Sequence, residues 1–493
     1  MPKNIAQLNP TCVWQHFSKL CEIPRPSHHE QGVIDYIQSI AETAGLSHNM
    51  DTAGNLIVRK AATAGKSHCH GIVIQGHLDM VGQASKPHQH NFETDPINAY
   101  IDGAWVTAKH TTLGADNGIG VACALAVLTA TDITHPPIEA LFTINEESGM
   151  SGALGLQPDS LQGDWLLNID TEEVGELYVG CAGGKDIIAT IPLETEPSTP
   201  THTAYMLTVS ELKGGHSGID IHRGRANANK LTNTLLQRAQ THTDIRVAAF
   251  NGGSLRNAIP RDANTHITLP NAQVSTLHQI MATYTDTIRT PEEPDIRIQL
   301  TPAERPDQVF TPAFLTRLLS AIEACPNGVE GWIPSLPNVV ETSNNLARIF
   351  SDQTDIHIEA LTRSAVETKR DALCERIAEI FRNIGSPERT HVHFSNAYPG
   401  WEPDMDSPLL QLMKTRHHAL YGNMPEINVI HAGLECGVLG AVYPHWKMIS
   451  FGPTIQGAHS PDERVRIEDV GLIWDYLVDV LAHIPEQPSL PEP

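Results

Sequence analysis

The sequence has few of the features that mark nucleic-acid-binding, membrane-spanning or disulfide-built proteins. Basic residues are scarce: 33 Lys and Arg stand against 57 Asp and Glu, a net charge of −24. A surface of that sign repels phosphate, which argues against nucleic acid or an anionic membrane as partner. Long hydrophobic runs are also missing. The longest, Ile119–Leu128, falls well short of the roughly 20 residues that cross a bilayer. The opening MPKNIAQLNP lacks the charged-then-apolar pattern of a leader. The eight cysteines include no CxxC pair and no zinc-finger spacing. Several, such as Cys123 in VACALAVL, lie in apolar runs and read as small buried hydrophobes. These absences predict a soluble, cytoplasmic chain with no nucleic-acid and no membrane partner. With 40% apolar and 18% charged residues it is not a disordered acidic chain. Histidine is abundant, at 26 residues, of which a metal site needs two or three.

At about 150 residues per domain, 493 residues allow two or three domains. Residues 11–45 read as two helices, the second carrying Val33, Ile34, Ile37, Ile40, Ala41 and Ala44 at the helical period. Apolar strands then alternate with helices: strands at 55–60 and 71–79, a small-sided helix at 117–130, and strands at 137–147, 165–170 and 175–180. This predicts an α/β fold whose mixed, mostly parallel sheet carries helices on both faces. Near Gly184 the pattern changes to two successive α+β units, which suggest an internal duplication. After WEPDMDSP the α/β pattern returns, with helices at 408–421 and 467–484. The expected organisation is a catalytic domain in two parts, 1–184 and 400–493, interrupted by an inserted α+β domain at 185–399, with a frayed Pro-rich tail.

In open α/β sheets, function collects at the carboxyl ends of the strands. Three predicted strands end in acid or imidazole groups. IVIQGHLD delivers His77 and Asp79, LFTINEESG delivers Glu146 and Glu147, and LLNIDTEE delivers Asp170. The turn TTLGADNGIG adds Asp116 ahead of the buried helix. Carboxylate pairs at the end of an apolar strand must stay solvated or find a cation. Hydrolysis by a metal pair wants these types: imidazole and carboxylate ligands, a bridging carboxylate, and a separate carboxylate to take a proton from water. His459 in GAHSPDERV can complete the set. The HCH run at 68–70 precedes a strand rather than ending one and reads as a solvated loop.

GHLDMV (76–81), GADNGIG (114–120), TINEESGMSG (143–152), NIDTEE (168–173) and AHSPDERV (458–465) resemble, in order, the motifs of the aminoacylase and carnosinase-like zinc exopeptidases. GGHSGIDIHRGRANA (214–228) and the overall length resemble the branch of that family that cleaves Xaa-His dipeptides. The resemblance implies two zinc ions per subunit, with manganese or cobalt as alternatives. It implies that His77 and Asp170 bind one ion, that Glu147 and His459 bind the other, and that Asp116 bridges. Glu146 is the implied general base, and Asp79 the residue that orients His77. A cis bond between Asp116 and Asn117 is implied as well. The inserted domain becomes a lid, in which His216 contacts the oxyanion while Asn257 and Arg363 hold the substrate's terminal carboxylate. Arg348 lies close enough in sequence to compete with Arg363 for that role. Gly433 in HAGLECG matches a backbone contact to substrate.

The implied activity is hydrolysis of dipeptides with broad specificity, including Xaa-His dipeptides such as beta-alanyl-histidine. An aminoacylase or carboxypeptidase on the same scaffold is the alternative, and a non-catalytic metal-binding relative is a third reading. Glu146 speaks against the last, because a pure binder has no use for a base beside its ligand. A homodimer is possible. The length of the insertion would let it supply His216 to its own chain's site.

Overall fold

Helices form where apolar residues recur at the helical period. In the computed structural model, Val33, Ile34, Ile37 and Ala41 form the buried side of Gln31–Thr43. Ala115–Thr129 is buried along nearly its whole length, as its small side chains allow. The structure describes residues 4–488. Two compact units emerge. One takes the described residues up to Gly180, Pro403–Val429 and those from Leu434 onward; the other takes Cys181–Glu402 and Ile430–Gly433. The chain passes between them at 180/181 and 402/403, and again around the short segment at 429/430 and 433/434; the sequence reading draws the boundaries at 184 and 400.

The first unit is built on an eight-stranded sheet. Its centre is parallel: Ile138–Thr143, Ile72–His77, Trp165–Asn168 and Lys447–Ser450 lie side by side. The outer strands Ser47–Met50, Leu56–Lys60 and Glu176–Cys181 pair antiparallel. Consecutive strand residues face opposite sides. Gln75 meets Glu435 at the start of helix Glu435–Val442, and Gly76 faces Asn117 in helix Ala115–Thr129, so helices cover both faces. A small four-stranded sheet joins Ala99–Asp102 and Trp105–Ala108 to the hairpin Ile455–Gln456 and Arg464–Arg466. The start of the Pro-rich tail is tied down, Pro485 and Gln487 pairing with His70 and His68. The rest of that tail lies outside the described residues.

The second unit carries an antiparallel sheet with one core shared by strands and helices. His202–Ser210, Arg246–Gly252, Ala263–Pro270 and Arg297–Pro302, with helices Ala228–Gln240 and Val274–Ile288, follow a βαββαβ order and lie 4-1-3-2 across the sheet. Gly183–Pro192, Val340–Ser351, Asp355–Ser364 and His391–Tyr398, with helices Pro312–Ala324 and Glu367–Arg382, repeat that order read from the opposite edge. The halves meet where Gly252 pairs with Ile349. The sequence pattern suggests successive units. In the structure they are nested, because the first strand of one half, Gly183–Pro192, precedes the whole of the other.

Candidate metal centre and substrate-binding residues

Three adjacent parallel strands bring their carboxyl ends to one edge, and the acidic residues collect there. His77 closes Ile72–His77, Asp170 follows Trp165–Asn168, and Glu146 and Glu147 follow Ile138–Thr143. Asp116 enters from the start of helix Ala115–Thr129 and His459 from the hairpin loop that precedes Arg464–Arg466. Asp116 sits in the middle. Its Oδ1 lies 3.0 Å from His77 Nε2 and its Oδ2 lies 3.1 Å from His459 Nε2. Asp170 Oδ1 lies 3.5 Å from His77 Nε2, and Glu147 Oε1 lies 3.1 Å from His459 Nε2. The peptide bond between Asp116 and Asn117 is cis.

The strand that leads to the glutamates ends at Thr143, four residues earlier than sequence predicts. Asn145 then turns the chain at φ 55°, ahead of the Gly149 turn at φ 119°. The backbone N–H groups of Glu146 and Glu147 donate to the two oxygens of Asp79, at 3.0 and 3.1 Å. Asp79 therefore orients the glutamate turn as well as His77, whose Nδ1 lies 3.1 Å from its backbone oxygen and 3.4 Å from its carboxylate. Burial alone would raise the Asp79 pKa, but His77, Ser27 and the Glu146 N–H hold it below its ordinary value.

The charges are unbalanced. Burial raises Asp170 to about 6, helped by Asp116 and Glu147. Burial also lifts Glu146 well above the usual carboxylate range, despite the nearby His77. His459 is pulled up to about 11 by Asp116 and Glu147. His77 is likewise drawn up, against its burial, by Asp170, Asp116 and Asp79, so the acids around both imidazoles call for positive charge. Glu147 Oε1 and Asp170 Oδ1 are buried, and the groups that meet them are these two imidazoles, His459 and His77. His77, Asp116 and Glu147 each offer a ligand atom within 4.8 Å of the others. Imidazole and carboxylate donors with unfilled lone pairs fit a metal ion, and Asp116, facing both sides, fits two. The HCH run makes no such group: His68 pairs with Glu486 at 2.8 Å and His70 with Asp164 at 2.6 Å.

The remaining candidates lie in the second unit. His216 Nδ1 accepts from the N–H groups of Gly218 and Ile219, at 3.1 and 3.0 Å. Burial and the Arg363 charge lower its pKa to about 4. The ring is thus neutral, with its proton on Nε2, a donor. His216 pairs with Ala258 across a short ladder, and Ser217 N–H donates to the Asn257 carbonyl at 2.8 Å. Asn345 ties this segment to the large sheet through the carbonyls of Arg256 and Ala258. Arg363 is buried, 4% exposed, while Arg348 already pairs with Glu359 at 3.3 Å. Gly433 falls in the segment Ile430–Gly433 of this same unit. His431, from that segment, holds Ser343 at 2.7 Å, and Ser343 lies opposite Arg363.

The model of Peptidase family M20/M25/M40 matches residues 73–483. The chain belongs to that family. It is 40% identical over 484 residues to the cytosol non-specific dipeptidase of Escherichia coli (strain K12), covering 98% of this chain and 99% of that one. The crystal structure of aminoacylhistidine dipeptidase from Vibrio alginolyticus superposes with a TM-score of 0.90 at 44% identity, over 98% of this chain and 99% of that one. The aminopeptidase PepT of Bacillus cereus ATCC 10987 shares the fold, with a TM-score of 0.58 at 16% identity over 97% and 99% of the two chains.

Two residues that hold this M20-family site together carry no signal of their own in the sequence. Glu463, inside the AHSPDERV motif, is buried and accepts the backbone N–H groups of Leu113, Gly114, Ala115 and Asp116 at 2.7, 2.9, 2.7 and 3.2 Å. Arg25, also buried, donates to the carbonyls of Leu78, Asp79 and Gly114. Together they fix the Asp116 turn against the end of the His77 strand. Because outer hydrogen bonds of this kind typically govern metal affinity by about 10–100-fold, Glu463→Ala is expected to weaken metal retention by that factor. Chelator competition followed by metal analysis measures it; unchanged retention would show that the Asp116 turn holds its shape unaided.

Proposed function

We propose that this chain is a dinuclear zinc dipeptidase that accepts Xaa-His dipeptides, beta-alanyl-histidine among them. The observation that carries this is Asp116, whose two carboxylate oxygens each meet a different imidazole, with Asp170 beside the first imidazole and Glu147 beside the second. His77 and Asp170 would hold one ion, Glu147 and His459 the other, and Asp116 both. Zinc suits these donors; manganese or cobalt could serve in the same set. Bound there, the metal pair would supply Lewis acidity toward the scissile carbonyl and toward a water molecule. Glu146 takes a proton from that water and returns it to the leaving amine. His216 serves as a neutral Nε2–H donor for the negative charge that develops on the carbonyl oxygen. Arg363 and Asn257 serve the substrate's free carboxylate, with Gly433 as a backbone contact, in what we take to be a lid. The dipeptidase names of the relatives at 40% and 44% identity favour this reading over an aminoacylase or a carboxypeptidase.

Three expectations test the assignment. Glu146→Ala should keep both metals and lose about 10²–10⁴-fold or more in kcat, since one group serves as base and then as acid. Metal analysis beside kinetics decides it, and loss of metal would make Glu146 a ligand instead. A His-containing dipeptide should be cut, chelator should abolish the cleavage, and amidating the dipeptide's C-terminus should cost about 2–4 kcal/mol by leaving a buried cation unpaired. Equal kcat/KM for the dipeptide and its amide would rule out carboxylate recognition. His216→Ala should lower kcat by about 10²–10³-fold, the usual worth of one oxyanion donor, with little change in KM and none in metal content. A wild-type rate in that variant would leave His216 an ordinary half-buried histidine.

A further inference from the structure

Ser343, Arg363, Gly184 and Tyr398 form one row across four strands of the second unit. Ser343 pairs with Arg363, Arg363 with Gly184, and Gly184 with Tyr398. Directly paired residues of neighbouring strands face the same side of a sheet. Two departures from regular geometry put Tyr398 there. The first is a bulge: Ser395 pairs with Asp186 and Tyr398 with Gly184, so three steps on one strand match two on the other. Asn396 takes up the extra residue at φ 49°. Plain alternation would send Tyr398 to the face opposite Ser395; the bulge turns it back. The second is the glycine. A Cβ on Gly184 would lie 2.5 Å from Cε1, Cζ and Oη of Tyr398, so the ring occupies the room a side chain would fill. Reaching across that strand, its hydroxyl accepts from an Arg363 terminal nitrogen at 2.6 Å. Arg370 anchors the Tyr398 backbone oxygen at 2.7 Å.

The pairing is chemically selective. Arg363 is buried, its Nε has no partner, and among the described residues it makes no ion pair with a carboxylate. An acid in the place of Tyr398 would fix the guanidinium but cancel its charge. A phenol fixes it and leaves the charge for an incoming anion, which then finds a desolvated, already oriented donor fork. We infer that Tyr398 is a positioning residue for dipeptide recognition, holding the Arg363 guanidinium in the orientation that receives the substrate's terminal carboxylate, with Gly184 as the opening through which it reaches. This inference rests on the role proposed above for Arg363.

The test compares a His-containing dipeptide with its C-terminal amide on the metal-loaded full-length protein. Tyr398→Phe should raise KM for the dipeptide about tenfold with kcat within about twofold, as loss of a charge-assisted hydrogen bond predicts. It should leave kcat/KM for the amide unchanged, so the preference for the free acid shrinks. Gly184→Ala, which displaces the ring but keeps the hydroxyl, should show the same selective loss. Should that variant fail to fold, Tyr398→Phe alone carries the test, since it removes a single oxygen. A purely structural Tyr398 would depress both substrates alike, and that result overturns the inference. Arg363→Ala separates the two layers. If it abolishes the preference while Tyr398→Phe keeps it, the positioning role falls and the Arg363 role stands. If Arg363→Ala itself keeps the preference, both fall.

Discussion

Negative charge held out of water at the meeting edge of three parallel strands is the constraint on which the first unit depends. Asp116, Glu146, Glu147 and Asp170 converge there with two imidazoles for company. Like charges this close repel steeply in a medium of low polarity. In the protein alone the imbalance shows at Glu146 and Asp170, which burial pushes up, and at the two histidines, which the acids pull up. The surroundings supply dipoles as well as charge. Four backbone N–H groups point at Glu463, two point at Asp79, and Arg25 caps three carbonyls. All of these contacts go to backbone groups of the chain itself. They hold a shape that repulsion would otherwise open, and a divalent cation is the group that repays the cost.

The second unit presents the opposite problem. Arg363 is a buried cation without an acid, and it sits near two histidines kept neutral by burial and by its own charge, His216 near 4 and His431 near 3. A protonated histidine there would place a second positive charge beside Arg363 and deprive His216 of its defined tautomer. Charge is thus concentrated on one guanidinium, and the neutral Tyr398 hydroxyl fixes its direction.

What could be read from sequence follows from how local each feature is. The carboxylates and His77 lie at strand ends, where an apolar run meets an acid, and that junction is visible in a single chain. The helices at 11–22, 31–43, 228–240, 408–421 and 467–482 follow the apolar period, whereas 115–129 stands out as an apolar, small-sided run buried on every side. His459 was visible only through a motif, since its partners lie hundreds of residues away. Glu463 stands in that same motif yet bonds only to backbone N–H groups, which every residue has, so no pattern betrays it. The short strands at 99–102 and 105–108 and the helix at 435–442 lack a period long enough to stand out. Arg348 and Arg363 look alike as letters. One turns out to be paired at the surface and the other buried without an acid, a distinction made by tertiary packing alone.

The nested topology explains why the row through Arg363 could not be anticipated. Gly184 belongs to the strand by which the chain enters the second unit, and Tyr398 to the strand by which it leaves. More than 200 residues separate them in sequence, yet they are direct neighbours in the sheet. Cys181 and Trp401 extend the pairing beyond them with two backbone hydrogen bonds, at 3.0 and 2.9 Å. The entering and leaving strands therefore fix one another's register, and Arg363, on the strand alongside, inherits that precision. A bulge on one strand and a missing side chain on the other are individually unremarkable letters. Only when the chain has closed on itself do they face each other and leave one opening through which a phenol reaches a guanidinium. Placing Arg363 on strands locked in this way sets its donor geometry by sheet register instead of by a loop, and register is the feature of a sheet least able to drift by a fraction of a residue.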